Sequence, residues 1–203
     1  MTKETYEIRG YAQISKRSPT TDFEAWDFRG QPVKFFDEDP ERAFEILHAH
    51  VESRSGKSIF MHINKDEKNI YIGYQPTGTD ASGRQLYALH GLRTQSESNP
   101  TEQLFDMLNG NKQAGSEYRI GESVTIPRIH FPKVSADVKN DLVSKLSKDK
   151  MVVCTPTELN ALTSDSEILP YINWIVASPN KIPYSLGADL KKRGESVVFV
   201  SRD

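Results

Sequence analysis

Apolar and polar side chains alternate one for one across residues 6–14. Tyr6, Ile8, Gly10, Ala12 and Ile14 fall at one parity, and Glu7, Arg9, Tyr11 and Gln13 at the other. A period of two predicts a half-buried strand. A polar loop follows at residues 16–22, and residues 23–36 predict two short strands around the turn Arg29-Gly30-Gln31-Pro32. Asp39 then stands where an N-cap accepts from orphan amides, with Pro40 at the first helical position. Phe44, Leu47, His48 and Val51 recur at helical spacing behind them, and Gly56 ends the segment.

The clearest β-pattern runs over residues 58–75. Ile59, Met61 and Ile63 alternate on one arm, Ile70, Ile72 and Tyr74 on the other, with residues 65–68 as the turn. Pairing Asn64 with Asn69 sets Ile63 against Ile70 and Met61 against Ile72, so one register satisfies the whole apolar face. It also sets His62 against Tyr71. Residues 85–93 predict a third strand, although Leu86, Leu89, His90 and Arg93 also fit a helical face. Asn99-Pro100-Thr101-Glu102 is a capping sequence for a helix that Gly110 ends. Residues 117–126 read as a strand stopped by Pro127, and residues 128–131 as an extended segment between prolines.

After Lys133 the pattern changes. Ser135 caps a helix with Val138, Leu142, Val143 and Leu146 inward. Three apolar runs without alternation follow, at residues 151–154, 172–177 and 197–200. Such runs suit strands buried on both faces of a parallel sheet with helical crossovers. The crossovers are a short helix capped by Thr155-Pro156-Thr157-Glu158 and a second around residues 185–193. The expected fold is α+β: an antiparallel, meander-rich sheet with flanking helices over residues 1–132, then a small α/β unit with parallel strands over 133–203. Residues 133–135 are too short for a flexible linker, so the two parts can equally form one continuous domain.

Composition narrows the chemistry. With 203 residues, 36% apolar, 27% charged and a net charge of −2, the chain has material for a core and no bulk positive charge for nucleic acid. The single cysteine, Cys154, can form neither an internal disulfide nor a cysteine zinc site, which points to a reducing, cytoplasmic setting. The polar first residues carry no apolar signal region, and no run has the length of a membrane span. No cofactor or metal is expected, because no HExxH or helical ligand pair occurs. Asp37-Glu38-Asp39 precedes a helix start, where carboxylates are favourable anyway, and Lys191-Lys192-Arg193 ends a helix, where cations are.

Residues 73–79, Gly-Tyr-Gln-Pro-Thr-Gly-Thr, nearly match a phosphate loop. Thr79 replaces the lysine, Asp80 replaces the Mg²⁺ hydroxyl, Pro76 removes an amide, and a strand follows where the motif needs a helix. That rules out a nucleotide loop and leaves a long connection between strands. Cys154 ends an apolar strand just before a helix start, so both a core thiol and an activated one are open.

His62, Tyr71, His90 and Arg93 flank that connection. If residues 85–93 pair back onto the second arm of the hairpin, the four share a sheet face. Two imidazoles could then move protons on a phosphodiester while Arg93 holds the developing charge and Tyr71 orients a group or stacks on a base. Ordinary surface or packing residues are the plainer reading, and the HxT or HxS pair of two-histidine phosphodiesterases is absent. Two functions follow. The first is a non-catalytic interaction protein binding a protein partner or itself, using aromatics such as Tyr6, Tyr11, Phe23, Trp26 and Phe28 or open strand edges. The alternative is a metal-independent nuclease or phosphodiesterase built on the four residues, with RNA or a nucleotide as substrate. A ligand sensor in residues 133–203 rests on fold analogy alone.

Overall fold

The computed structural model describes residues 3–16, 24–26, 58–63, 68–73, 78–79, 85–95, 99–102, 104, 123–127, 130–177 and 184–201. The helix expected from Asp39 to Gly56 and the connection around residues 80–84 lie outside them. The described elements are mixed helix and strand, an α+β arrangement. In chain order they are β1 (Lys3–Lys16), β2 (Glu24–Trp26), β3 (Ser58–Ile63), β4 (Lys68–Gly73), β5 (Gly78–Thr79), β6 (Gln85–Gln95), β7 (Ser123–Pro127), α1 (Ala136–Asp149), β8 (Met151–Cys154), α2 (Pro156–Thr163), β9 (Trp174–Ala177), α3 (Tyr184–Lys192) and β10 (Val197–Val200). The sheet runs β2-β1-β6-β4-β3-β9-β10-β8, with β5 beside β6 and β7 beside β1.

The last four strands of that order form a mixed sheet. β10 pairs in parallel with both β9 and β8, while β3 pairs antiparallel with β9. Every residue of β9 and β10 is buried, which is why neither shows alternation. Both faces are covered. On one, Met61, Ile63, Val152, Cys154, Ile175 and Val198 pack with Leu142 and Leu146 of α1, Leu159 and Leu162 of α2, and Leu104. On the other, α3 lies over β10, with Tyr184 6.3 Å from Phe199 between ring centroids. The chain reaches β9 from β8 through α2, skipping one place, then returns through α3 to the gap. Reversing direction while keeping the hand of the crossover demands the opposite face, and α3 is on it.

Each helix is closed by its own sequence. Ser135 accepts from Val138 N at 3.4 Å, and Lys150 ends α1 in the left-handed region (φ 58°), its N–H donating to Leu146 O at 3.0 Å. Thr155 and Glu158 form a full capping box on α2: Thr155 N donates to Glu158 Oε2 at 2.7 Å, and Glu158 N to Thr155 Oγ1 at 3.3 Å. After α3, Gly194 takes φ 80°, with Gly194 N donating to Lys191 O at 2.9 Å and Glu195 N to Leu190 O at 3.0 Å. Those two bonds make a Schellman motif, and the positive φ is the reason for glycine there.

A polar clamp joins the helical residues after Asn99 to the end of α2. Asn99 Oδ1 accepts from Thr101 N at 2.9 Å and Thr163 Oγ1 at 2.8 Å; its Nδ2 donates to Asn160 Oδ1 at 2.8 Å and Ser164 Oγ at 2.9 Å. Both donors and two acceptor positions of one amide are thereby used. With the Thr163 hydroxyl hydrogen given to Asn99, Thr101 is the donor in the 2.7 Å contact between the two buried threonine hydroxyls. Just past the end of α2, Lys139 of α1 pairs with Asp165 and holds that carboxyl below its usual range.

Three sequence expectations change in detail. Ile63 pairs with Lys68 rather than Ile70, a slip of two positions that keeps every residue at its expected parity. In β1 the register against β6 shifts between Ile8 and Gly10, a bulge at Arg9, so Ile8 and Gly10 oppose Thr94 and Arg93 at opposite parities. The single face expected for residues 6–14 is therefore broken at residue 9. Finally, β8 is not buried on both sides: it is the outermost of the described strands, and Val153 is 38% exposed. The strand expected over residues 85–93 is a strand, not a helix.

Two substitutions check this packing by urea unfolding. A Cβ on Gly187 would stand 2.6 Å from Met151 Sδ and 2.9 Å from the Phe199 ring. Met151 can give way but the packed ring cannot easily, so Gly187→Ala is expected to cost about 1–3 kcal/mol through overpacking. Asn99→Ala removes a helix cap and strands the buried threonine pair, with an expected loss of about 2–3 kcal/mol.

Candidate functional site

The four sequence candidates lie on three neighbouring strands. His62 on β3 pairs with Asn69 on β4, and Asn69 pairs with Arg93 on β6. Tyr71 pairs with Phe60 and Gly91, at the same parity. His90 pairs with Ile72, one position off, and so falls at the other parity. Direct partners across a sheet share a face, and a one-residue offset changes it. Positions 62, 71 and 93 therefore belong to one face and position 90 to the opposite one. The face common to all four that the sequence suggested is not the face this register provides.

His62 is also enclosed. It is 7% exposed, and its partner on the other side is Trp174 at the start of β9. The two rings are 4.5 Å apart between centroids, tilted by 36°. Trp174 Nε1 donates to Glu195 Oε2 at 2.6 Å, beyond the end of α3. Beside this stack, Asn173 and Ser196 tie the entries of β9 and β10 together: Ser196 N donates to Asn173 Oδ1 at 2.9 Å, and the Ser196 hydroxyl is hydrogen-bonded to Tyr171 O. The histidine is a packing partner at the seam between β3 and β9. Nothing in the sequence pattern placed Trp174 against it, because the pairing joins distant parts of the chain.

Cys154 is buried on the face packed by α2. Burial first, then the nearby Glu158 carboxylate, push its thiol well above the ordinary value. The helix start that could have activated it is outweighed, and the group is a neutral core thiol. Among the described residues no group of three or more His, Cys, Asp or Glu side chains could hold a metal ion. No helix among them is long and apolar enough to cross a membrane. Lys192, in the basic end of α3, pairs with Asp189 at 3.2 Å. The aromatics of residues 1–36 sit at positions whose side chains are not described.

Two exposed features remain. A groove of about 860 Å³ runs between α1 and residues 166–171, lined by Val143, Leu146, Lys150, Glu167, Ile168 and Tyr171 among others. The second is the β8 end of the sheet. Val153 pairs with Phe199, and the Tyr184 ring lies 6.3 Å from the same buried ring, so two exposed apolar side chains neighbour one core aromatic. Tyr184 is 55% exposed. Sequence reasoning missed this surface because a short apolar strand looks the same at the edge of a sheet as at its centre.

Comparison with protein-family models, with curated proteins and with solved structures finds no match to this chain.

Thiol chemistry checks the state of Cys154. An aromatic disulfide reagent at pH 8 is expected to leave the folded chain unmodified and to react fully once urea unfolds it. Because the folded pKa is raised, the unfolded thiol ionises first as pH rises. Stability should hold below the ordinary value of 9.0 and fall above it, and Cys154→Ser should flatten that alkaline slope in urea titrations.

Proposed function

We propose that the chain is a non-catalytic interaction protein that binds a protein partner or itself through the β8 end of its sheet. One observation carries this reading: Val153 and Tyr184 are exposed, and each neighbours Phe199, at the last described strands of the sheet. Apolar side chains beside a strand edge combine hydrophobic area with backbone hydrogen-bonding capacity, the two components of strand-addition binding. On this reading residues 1–132, with their meander of antiparallel strands, and residues 133–203 act as one continuous domain. The first part then supports the sheet and the second presents its open end. The setting proposed for it is the cytoplasm.

The alternative is a metal-independent nuclease or phosphodiesterase using His62, Tyr71, His90 and Arg93. Its support is the shared parity of positions 62, 71 and 93. Against it stand the enclosure of His62 against Trp174 and the opposite parity of position 90.

Two assays separate these readings. A photo-crosslinking amino acid in place of Tyr184 is expected to give protein adducts, and the same residue at the exposed Lys145 of α1 to give none. Incubation with RNA and with cyclic nucleotides is expected to show no cleavage that His62→Ala or His90→Ala removes. Histidine-dependent turnover without adducts at position 184 would reverse the assignment.

A further inference from the structure

We propose that the outer edge of β8 pairs antiparallel with β8 of a second copy, in a register centred on Val152. The proposal rests on the interaction reading above and names the partner of that same surface.

Part of the backbone of β8 is already used by β10. In a parallel ladder, alternate residues direct both N–H and C=O toward one neighbour. The carbonyls of Lys150 and Cys154 accept from Val197 N and Ser201 N, each at 2.9 Å. Even-numbered positions of β8 therefore bond inward to β10. Met151 and Val153 direct their N–H and C=O groups the other way, to the side where no described strand lies. The next outward amide, that of Thr155, is already taken by Glu158 in the capping box at 2.7 Å. The edge consequently presents two donor–acceptor positions, 151 and 153, placed symmetrically about Val152.

That symmetry makes the edge complementary to itself. A twofold axis through Val152 sets Met151 of each copy against Val153 of the other. Each such pair exchanges both of its hydrogen bonds, and every outward group finds a partner. Centring on Val153 instead would set Met151 against Thr155, whose amide is closed. A twofold pairing is also isologous, so it stops at two copies, whereas pairing β8 with the opposite edge of another sheet would propagate.

Side chains and charge agree with this register. Val153, exposed at the edge, would lie beside Met151 of the second copy on the α3 face. The antiparallel sense carries the end of α1, where Lys148 and Lys150 flank Asp149 and leave a net positive charge, toward the first turn of α2 in the other copy, where Glu158 stands. β8 itself is Met-Val-Val-Cys, with no charge or proline to block an incoming strand.

The test uses the full chain in light scattering after size exclusion, across the micromolar range. The wild type is expected at twice the 23.0 kDa chain mass. Val153→Lys and Val153→Glu should each halve it, and an equimolar mixture should restore it, because the two positions lie diagonally across the proposed axis. Far-ultraviolet circular dichroism confirms that the variants fold. Amide exchange on the wild type provides a reading free of substitution: the Met151 and Val153 amides should be protected at high concentration and exposed on dilution. A dimer indifferent to both charges, or lacking that protection, overturns the pairing. A monomeric wild type that still gives adducts at position 184 with another protein overturns self-pairing and leaves the interaction reading standing. A monomer without adducts overturns both.

Discussion

Burial of β9 and β10 on both faces is the constraint from which the rest of the molecule follows. A strand with no solvent face must carry apolar side chains at every position, and Trp-Ile-Val-Ala and Val-Val-Phe-Val do. Such a strand also needs a layer above and a layer below. The chain supplies α1 and α2 on one side and α3 on the other, and Gly187 exists because α3 must approach Met151 and Phe199 closely enough to leave no room for a Cβ. Polar groups at the rims of this block are satisfied locally, by the capping box of Thr155 and Glu158 and by the Asn173–Ser196 pair.

How far the sequence could be followed depended on the range of the signal. Local rules held well in the second part: Ser135, Thr155-Pro156 and the three apolar runs marked the starts of α1, α2 and the parallel strands within a residue or two. Parity also survived where register did not. The β3–β4 pairing slipped by two positions from the expected one, yet the same residues share a face, because period-two patterning cannot distinguish registers that differ by two. Relations between distant segments were the ones that escaped. The bulge at Arg9 and the stacking of His62 on Trp174 each depend on which strand lies alongside, and no periodicity within one strand encodes its neighbour. The opposite parity of positions 90 and 93 is different: three residues apart on one strand, they face opposite ways in any register.

The candidate site shows the same division. Residue types suited to acid–base work were easy to find, but His90 and Arg93 are three apart on one strand, so no register of β6 brings both to the face of His62 and Tyr71. Cys154 was open to two interpretations in sequence, and its surroundings, a packed face and a carboxylate, decide for the inert one. The exposed pair Val153 and Tyr184 could not be inferred at all, since the position of β8 at the end of the sheet follows from the order in which β9 and β10 are laid down.

That order has a consequence for how the protein is made. β3 and β9 pair across about 110 residues of chain, and the Asn99 clamp reaches across 61. During synthesis β3 and β4 leave the ribosome long before β9 exists, so Met61 and Ile63 have no core to enter and one side of β3 has no partner. β4 can pair with β6, and β6 with β1, before β9 emerges, but one edge of β3 stays open until it does. Closure of the sheet at β3 therefore belongs to the last strands to emerge rather than to the first ones to form.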